Sequence, residues 1–155
     1  MADRNQSSDQ VLRHALEANG QRFTEQRAAV YRFLATTVVH PTADEVFLAV
    51  RGDVPGISLA TVYKSLETLV GCGLASKLTY GDGSARYDGR MDPHHHTRCL
   101  RCDQVFDLKG TLPDTPLDAL RQGAGGFAVT GYRLELVGFC TSCGTPAPPT
   151  EVARA

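Results

Sequence analysis

Four of the five cysteines fall into two matched pairs, Cys99-Leu100-Arg101-Cys102 and Cys140-Thr141-Ser142-Cys143. A C-x₂-C turn aims two thiolates at one ion, and two such turns close a tetrahedral zinc shell. With no coordination position left open, such a zinc is structural. Unliganded cysteines and a thiol redox switch are the competing readings, and the repeated spacing favours zinc over both. The pairs stand 37 residues apart, so a small subdomain must fold between them. Cys72, alone at a helix end, reads as a packing residue. An odd cysteine count arranged for metal suits a reducing compartment. The polar start Met1-Ala2-Asp3-Arg4-Asn5-Gln6 is no secretion signal, and no apolar run is long enough to span a membrane. The chain is expected in the cytoplasm.

Upstream of the cysteines the punctuation is helical. Residues 1–8 are polar and expected to be disordered. From Asp9 the apolar positions Leu12, Ala15 and Leu16 recur at helical spacing, and Asn19-Gly20 supplies a stop. Thr24 caps a second helix. Thr42-Ala43-Asp44-Glu45 is a capping box for a third, ending near Arg51-Gly52. Ser58 caps a fourth, Leu59 to Val70, which stops at Gly71-Cys72-Gly73. Two extended runs, Ala75–Tyr80 and Ala85–Tyr87, flank the turn residues Gly81-Asp82-Gly83-Ser84 and read as a hairpin. Helices followed by a two-stranded hairpin is the order of a winged helix-turn-helix. Beyond Gly89 come the His/Cys cluster, a short strand Val105–Leu108, a weak helix around Leu117–Leu120 and a longer strand Phe127–Phe139. The tail 144–155, with three prolines, is expected to be unstructured.

A second cluster is of another kind. His94-His95-His96 lies just ahead of Cys99, with Asp88, Asp92, Asp103 and Asp107 around it. In an extended segment alternate residues share a face, so His94 and His96 point together and His95 away. Imidazole with carboxylate suits Mn²⁺, Fe²⁺ or Zn²⁺ without choosing among them. The segment Ser58-Leu59-Ala60-Thr61-Val62-Tyr63-Lys64-Ser65-Leu66 offers Thr61, Tyr63 and Lys64 for base and phosphate contacts. On those residues alone it reads equally well as an ordinary amphipathic surface helix. Charge gives no help: residues 1–86 carry nine basic and nine acidic side chains, residues 87–155 seven and eight. DNA binding would need a local basic face, doubled by dimerisation.

In order along the chain stand Gly20-x-Arg22-x-Thr24-x-Gln26-Arg27, His40-Pro41-Thr42-Ala43-Asp44, Ser58-x-Ala60-Thr61-Val62-Tyr63, Gly73-Leu74, Arg86-Tyr87-Asp88, His94-x-His96-x-x-Cys99-x-x-Cys102 and the final cysteine pair. Over roughly residues 9–143 this series resembles the ferric-uptake-regulator family, and most closely its peroxide-responsive branch. The resemblance implies an α+β protein: a winged-helix DNA-binding domain over 9–88 and a metal-binding dimerisation domain over 89–143, with disordered tails 1–8 and 144–155. It implies structural Zn²⁺ on Cys99, Cys102, Cys140 and Cys143. It implies a regulatory Fe²⁺ or Mn²⁺ on His40, Asp88, His94, His96 and Asp107, and contacts to a palindromic double-stranded operator by a homodimer through Arg22, Thr61, Tyr63 and Lys64. Zinc-uptake regulators typically place Cys where this chain has Asp88. Iron-uptake regulators commonly place Glu where it has Asp88 and Asp107.

The resemblance therefore implies a repressor in which Fe²⁺ reacts with peroxide and a ligand histidine, His94 or His40, is oxidised. The alternative is an iron- or manganese-uptake regulator without that chemistry. An enzyme is not expected: H-E-x-x-H is absent, and no Ser/His or Cys/His nucleophile pair has a recognisable spacing. A zinc-stabilised interaction module that binds no DNA is the third reading, which near-neutral charge keeps open.

Overall fold

The computed structural model describes residues 2–80, 83–110 and 114–144. The chain divides into two compact units, Met1–Asp92 and Pro93–Ala155. Among the described residues no helix is long and apolar enough to cross a membrane.

The first unit holds α1 (Ala2–Ala18), α2 (Glu25–Thr36), α3 (Ala43–Val50), α4 (Leu59–Gly71) and the hairpin β1 (Ser76–Leu78) with β2 (Arg86–Asp88). The expected caps form. Thr24 and Ser58 hydroxyls accept from the backbone N–H of Arg27 and Thr61. Thr42 and Glu45 make a reciprocal capping box. Leu12, Leu16, Val30, Leu34, Val46, Val62, Leu66 and Leu69 join Tyr87 in one core, and Cys72 packs at its edge. Burial of these faces, rather than helix propensity, holds the unit together.

The expectation of a disordered segment over residues 1–8 is corrected, since α1 already runs from Ala2. No Gly or Pro interrupts the chain before Gly20. The buried anchors Leu12 and Leu16 nucleate a helix that then propagates cheaply toward the N-terminus. At its middle, Arg32 of α2 grips both carboxylate oxygens of Asp9 at 2.8 and 2.5 Å. The units divide after Asp92 rather than after Asp88. The Arg90 amide donates to Asp88 and its guanidinium to Asp92, so residues 89–92 fold back onto β2.

In the second unit β3 (His95–Cys99), β4 (Val105–Leu108) and β5 (Glu135–Gly138) form a sheet of order β4-β3-β5, and α5 (Asp114–Gln122) lies between β4 and β5 in sequence. β4 is antiparallel to β3 and β5 parallel to it. The long strand expected over Phe127–Phe139 is corrected to the four residues of β5. Among the described residues its only partner is β3, whose pairing with it runs from His96 to Cys99. Phe127 and Val129 lie exposed ahead of it, so an apolar run without a partner strand stays irregular. Of the expected tail, Gly144 is described, and 145–155 lie outside the described residues.

Candidate metal centres

The parallel pairing of β3 and β5 brings the two cysteine pairs together. Cys99 ends β3 opposite Gly138, and the Leu100 amide donates to the Gly138 carbonyl at 2.8 Å. The first turn closes through Asp103, which takes a left-handed φ of 54° and donates its amide to the Cys99 carbonyl. Asp is among the few non-glycine residues that tolerate this conformation. The second turn closes from the Cys143 amide to the Cys140 carbonyl at 3.0 Å.

All four sulfurs lie within 4.8 Å of one another. Cys102 Sγ and Cys140 Sγ stand 3.8 Å apart, too far for a disulfide at about 2.05 Å. Zinc–sulfur bonds of about 2.3 Å set a tetrahedral edge of about 3.8 Å, so the donor set fits a tetrahedral metal. Hydrogen bonding from the Cys140 amide, then from Cys102, pulls the Cys99 thiol down to about 6. Hydrogen bonding to the Cys140 sulfur, then to Cys102, pushes Cys143 up to about 12. Without metal the local hydrogen bonds thus favour the thiolate form at Cys99.

The histidines and aspartates form two further groups, one in each unit. In the first, residues 40–42 run alongside β2. Thr42 bridges to Arg86, and the Tyr87 amide donates to the Pro41 carbonyl at 2.9 Å. His40 Nε2 then lies 3.6 Å from Asp88 Oδ2, both residues being buried. The Arg90 amide donates to the other Asp88 oxygen at 2.7 Å. In the second unit β3 sets His96 opposite Asp107 of β4. His94 Nε2 is 3.3 Å from Asp107 Oδ1, and the His94 and His96 rings meet edge-on at 4.5 Å. His95 turns instead to Tyr132, whose hydroxyl lies 3.3 Å from its Nε2, as alternation along the strand requires. Each group offers imidazole nitrogen and carboxylate oxygen at a spacing that one divalent ion can bridge.

The expected DNA-contact residues lie in the first unit. Arg22, Thr61 and Lys64 line a cleft of about 390 Å³ beside Gln21, Arg27 and Ser65, with no carboxylate in its wall. Tyr63 is exposed elsewhere on α4. Two residues were not singled out from sequence. Arg27 donates to the Arg22 carbonyl, to Gln21 Oε1 at 3.3 Å and to Thr68 Oγ1 at 3.4 Å, tying the 20–24 turn to α4. Glu67 of α4 accepts from Lys77 of β1 at 2.7 Å and from the Tyr87 hydroxyl at 3.1 Å. The bond from Lys77 holds Glu67 below the usual carboxylate range, while burial and the Glu67 bond raise Tyr87. Arg27 does stand in the Gly20-x-Arg22-x-Thr24-x-Gln26-Arg27 series, but nothing in its spacing marks a backbone carbonyl as its target.

The ferric uptake regulator family model matches residues 18–137. The peroxide-responsive repressor PerR of Staphylococcus saprophyticus is 38% identical over 129 residues, covering 83% of this chain and 86% of its own. The ferric uptake regulator Fur of Helicobacter pylori superposes with a TM-score of 0.76 at 20% identity, covering 90% of this chain and 93% of that one. A structure of PerR from Streptococcus pyogenes, described as the basis for peroxide sensing and gene regulation, matches with a TM-score of 0.50 at 26% identity, over 88% and 93% of the chains. The matched length, the α+β architecture and the assembled cysteine cluster agree: this chain belongs to the ferric uptake regulator family, as a metal-responsive DNA-binding regulator.

Proposed function

We propose that the chain is a dimeric, zinc-stabilised repressor that holds a palindromic operator while metal is bound and releases it on exposure to peroxide. The observation that carries this reading is the pair of ligand groups with aspartate as the carboxylate in both, His40 with Asp88 and His94 with His96 and Asp107. Likeness to peroxide-responsive repressors at 38% identity supports it. In this reading Cys99, Cys102, Cys140 and Cys143 hold Zn²⁺, and one Fe²⁺ or Mn²⁺ takes ligands from both His/Asp groups. A dimer presents its two recognition helices at the spacing of operator half-sites. The edge strand β5 exposes Leu136 and Val137, a surface suited to a second copy. In this reading the chain is a cytoplasmic regulator rather than an enzyme.

Bound Fe²⁺ supplies the reduction of peroxide. The protein's part is to keep imidazole carbons within reach of the oxidant and to stay ligated by short carboxylates. In the Fe²⁺ protein, peroxide should add the mass of one oxygen to the peptide holding His94 or to that holding His40, with loss of operator binding. The Mn²⁺ protein should keep both its mass and its DNA. Asp107→Glu should retain metal-dependent binding and lose most of the peroxide response, because a longer carboxylate alters the coordination open to the oxidant. Unoxidised histidines and retained DNA in the wild-type Fe²⁺ protein would replace this reading with the iron- or manganese-uptake alternative.

DNA reading is assigned to α4 and the 20–24 turn. Loss of Tyr63 should cost about 1–3 kcal/mol of operator affinity and relax base preference. Arg22→Ala should weaken binding and flatten its salt dependence, since fewer phosphate charges are neutralised. Operator affinity unchanged in both variants, measured across a salt series, would point to the interaction-module alternative instead.

A further inference from the structure

We propose that Arg86 is a positioning residue for the regulatory metal, fixing His40 through its main chain; this rests on the reading of His40 and Asp88 as metal ligands. Three successive residues of the 40–42 segment are each held by a separate bond. Arg86 Nη1 donates to the His40 carbonyl at 2.8 Å. The Tyr87 amide donates to the Pro41 carbonyl at 2.9 Å. The Thr42 amide donates to Glu45 Oε2 at 2.7 Å. That same Glu45 oxygen lies 3.1 Å from Arg86 Nη1. One guanidinium nitrogen therefore joins the backbone of a ligand residue to the capping box of α3.

The arrangement has two consequences for His40. Its segment belongs to no helix and no named strand, so its orientation comes from these bonds and from packing. Arg86 is two residues from Asp88 on one short strand, so a single element sets both the carboxylate and the backbone that presents the imidazole. The cation would oppose a neighbouring divalent ion if left uncompensated, and Glu45 offsets it. Arg86 is only 12% exposed, which keeps water from competing for the His40 carbonyl. Partners behind the ligands commonly govern metal affinity by 10–100-fold.

The test uses full-length, zinc-loaded protein and Mn²⁺ affinity followed by electron paramagnetic resonance, with melting temperature measured on the same samples without Mn²⁺. Arg86→Ala should weaken Mn²⁺ about 10–100-fold while all four cysteines keep their zinc. Arg86→Lys should recover part of the loss, since a point ammonium cannot reproduce the guanidinium's reach to both acceptors. Glu45→Gln breaks the ion pair and leaves the bond to His40, so it should lose less affinity than Arg86→Ala. Wild-type Mn²⁺ affinity in Arg86→Ala overturns the proposal. Equal losses of affinity and of melting temperature in Arg86→Ala and Glu45→Gln also overturn it, because a general structural role would give that result. Should Arg86→Ala fail to fold, Arg86→Lys decides. Lost affinity with unchanged melting supports the assignment, and full affinity ends it. His40→Ala separates the two levels. If it binds Mn²⁺ like the wild type, the ligand reading itself fails; if it loses Mn²⁺ while Arg86→Ala does not, only the role of Arg86 fails.

Discussion

Cys99→Ser should leave a protein without zinc and with its second unit unfolded. Cys99 is the most buried of the four cysteines, 2% exposed, and its sulfur accepts from the Cys140 amide at 3.4 Å. It is also the sulfur that the fold makes most acidic, at about 6. A serine hydroxyl stays protonated and cannot replace that thiolate as a ligand. Zinc binding in small domains is itself folding free energy, comparable to the whole stability of such a unit. The expected signature is zinc content near zero, loss of sheet signal and a monomeric chain by light scattering. Because thiolates must form, zinc affinity of the wild type should fall as pH falls, most steeply below about 6, where Cys99 too must lose a proton to bind. A zinc-replete, folded dimer of Cys99→Ser would remove the four-sulfur assignment.

Gly89→Ala should destabilise the first unit by about 1–3 kcal/mol, the usual cost of forcing an extra group into a packed site. A Cβ at this position would lie 2.6 Å from the Leu34 carbonyl oxygen and 2.8 Å from its carbon. Both belong to the backbone of α2, which cannot swing aside as a side chain would. The strain falls next to Asp88, so regulatory metal should weaken along with stability. Gly71→Ala is the counterpart: a Cβ there meets nothing within 4 Å. As the last residue of α4 it should be neutral or slightly stabilising, since Ala is the better helix former. Urea unfolding midpoints compare the two, and equal midpoints would discount the clash.

The helices of the first unit were legible because their boundaries are written in local chemistry. Thr24, Thr42 and Ser58 each satisfy an amide three residues ahead, which needs no tertiary information. The beginning of α1 was hidden because its residues are polar, and composition does not say whether a helix begun at Leu12 will extend backward. The two cysteine pairs and the His94–His96 cluster were readable from side-chain type and spacing, whereas His40 entered only through the family resemblance. The strand registers were not readable: that His96 faces Asp107, or Cys99 faces Gly138, is decided by strand pairing. The bonds of Arg27 and Arg86 could not be read from sequence because each goes to a backbone carbonyl brought near only by folding. Phe127–Phe139 misled for the converse reason, being apolar enough for a strand yet given a partner over four residues only.

The parallel run of β3 and β5 gives the cysteine cluster a role in chain topology. Parallel neighbours cannot be joined by a tight turn, so after β3 the chain runs back along β4, leaves the sheet through α5 and returns at β5. A metal held by Cys99, Cys102, Cys140 and Cys143 fastens both ends of that excursion at one point. The ends then stay together whatever the excursion contains. Lengthening a loop whose ends are fixed costs only about 0.6 kcal/mol per doubling. The glycine-rich stretch on either side of α5 is therefore where insertions and substitutions should be tolerated best, leaving room for this part of the chain to drift in sequence while the ligand geometry stays put.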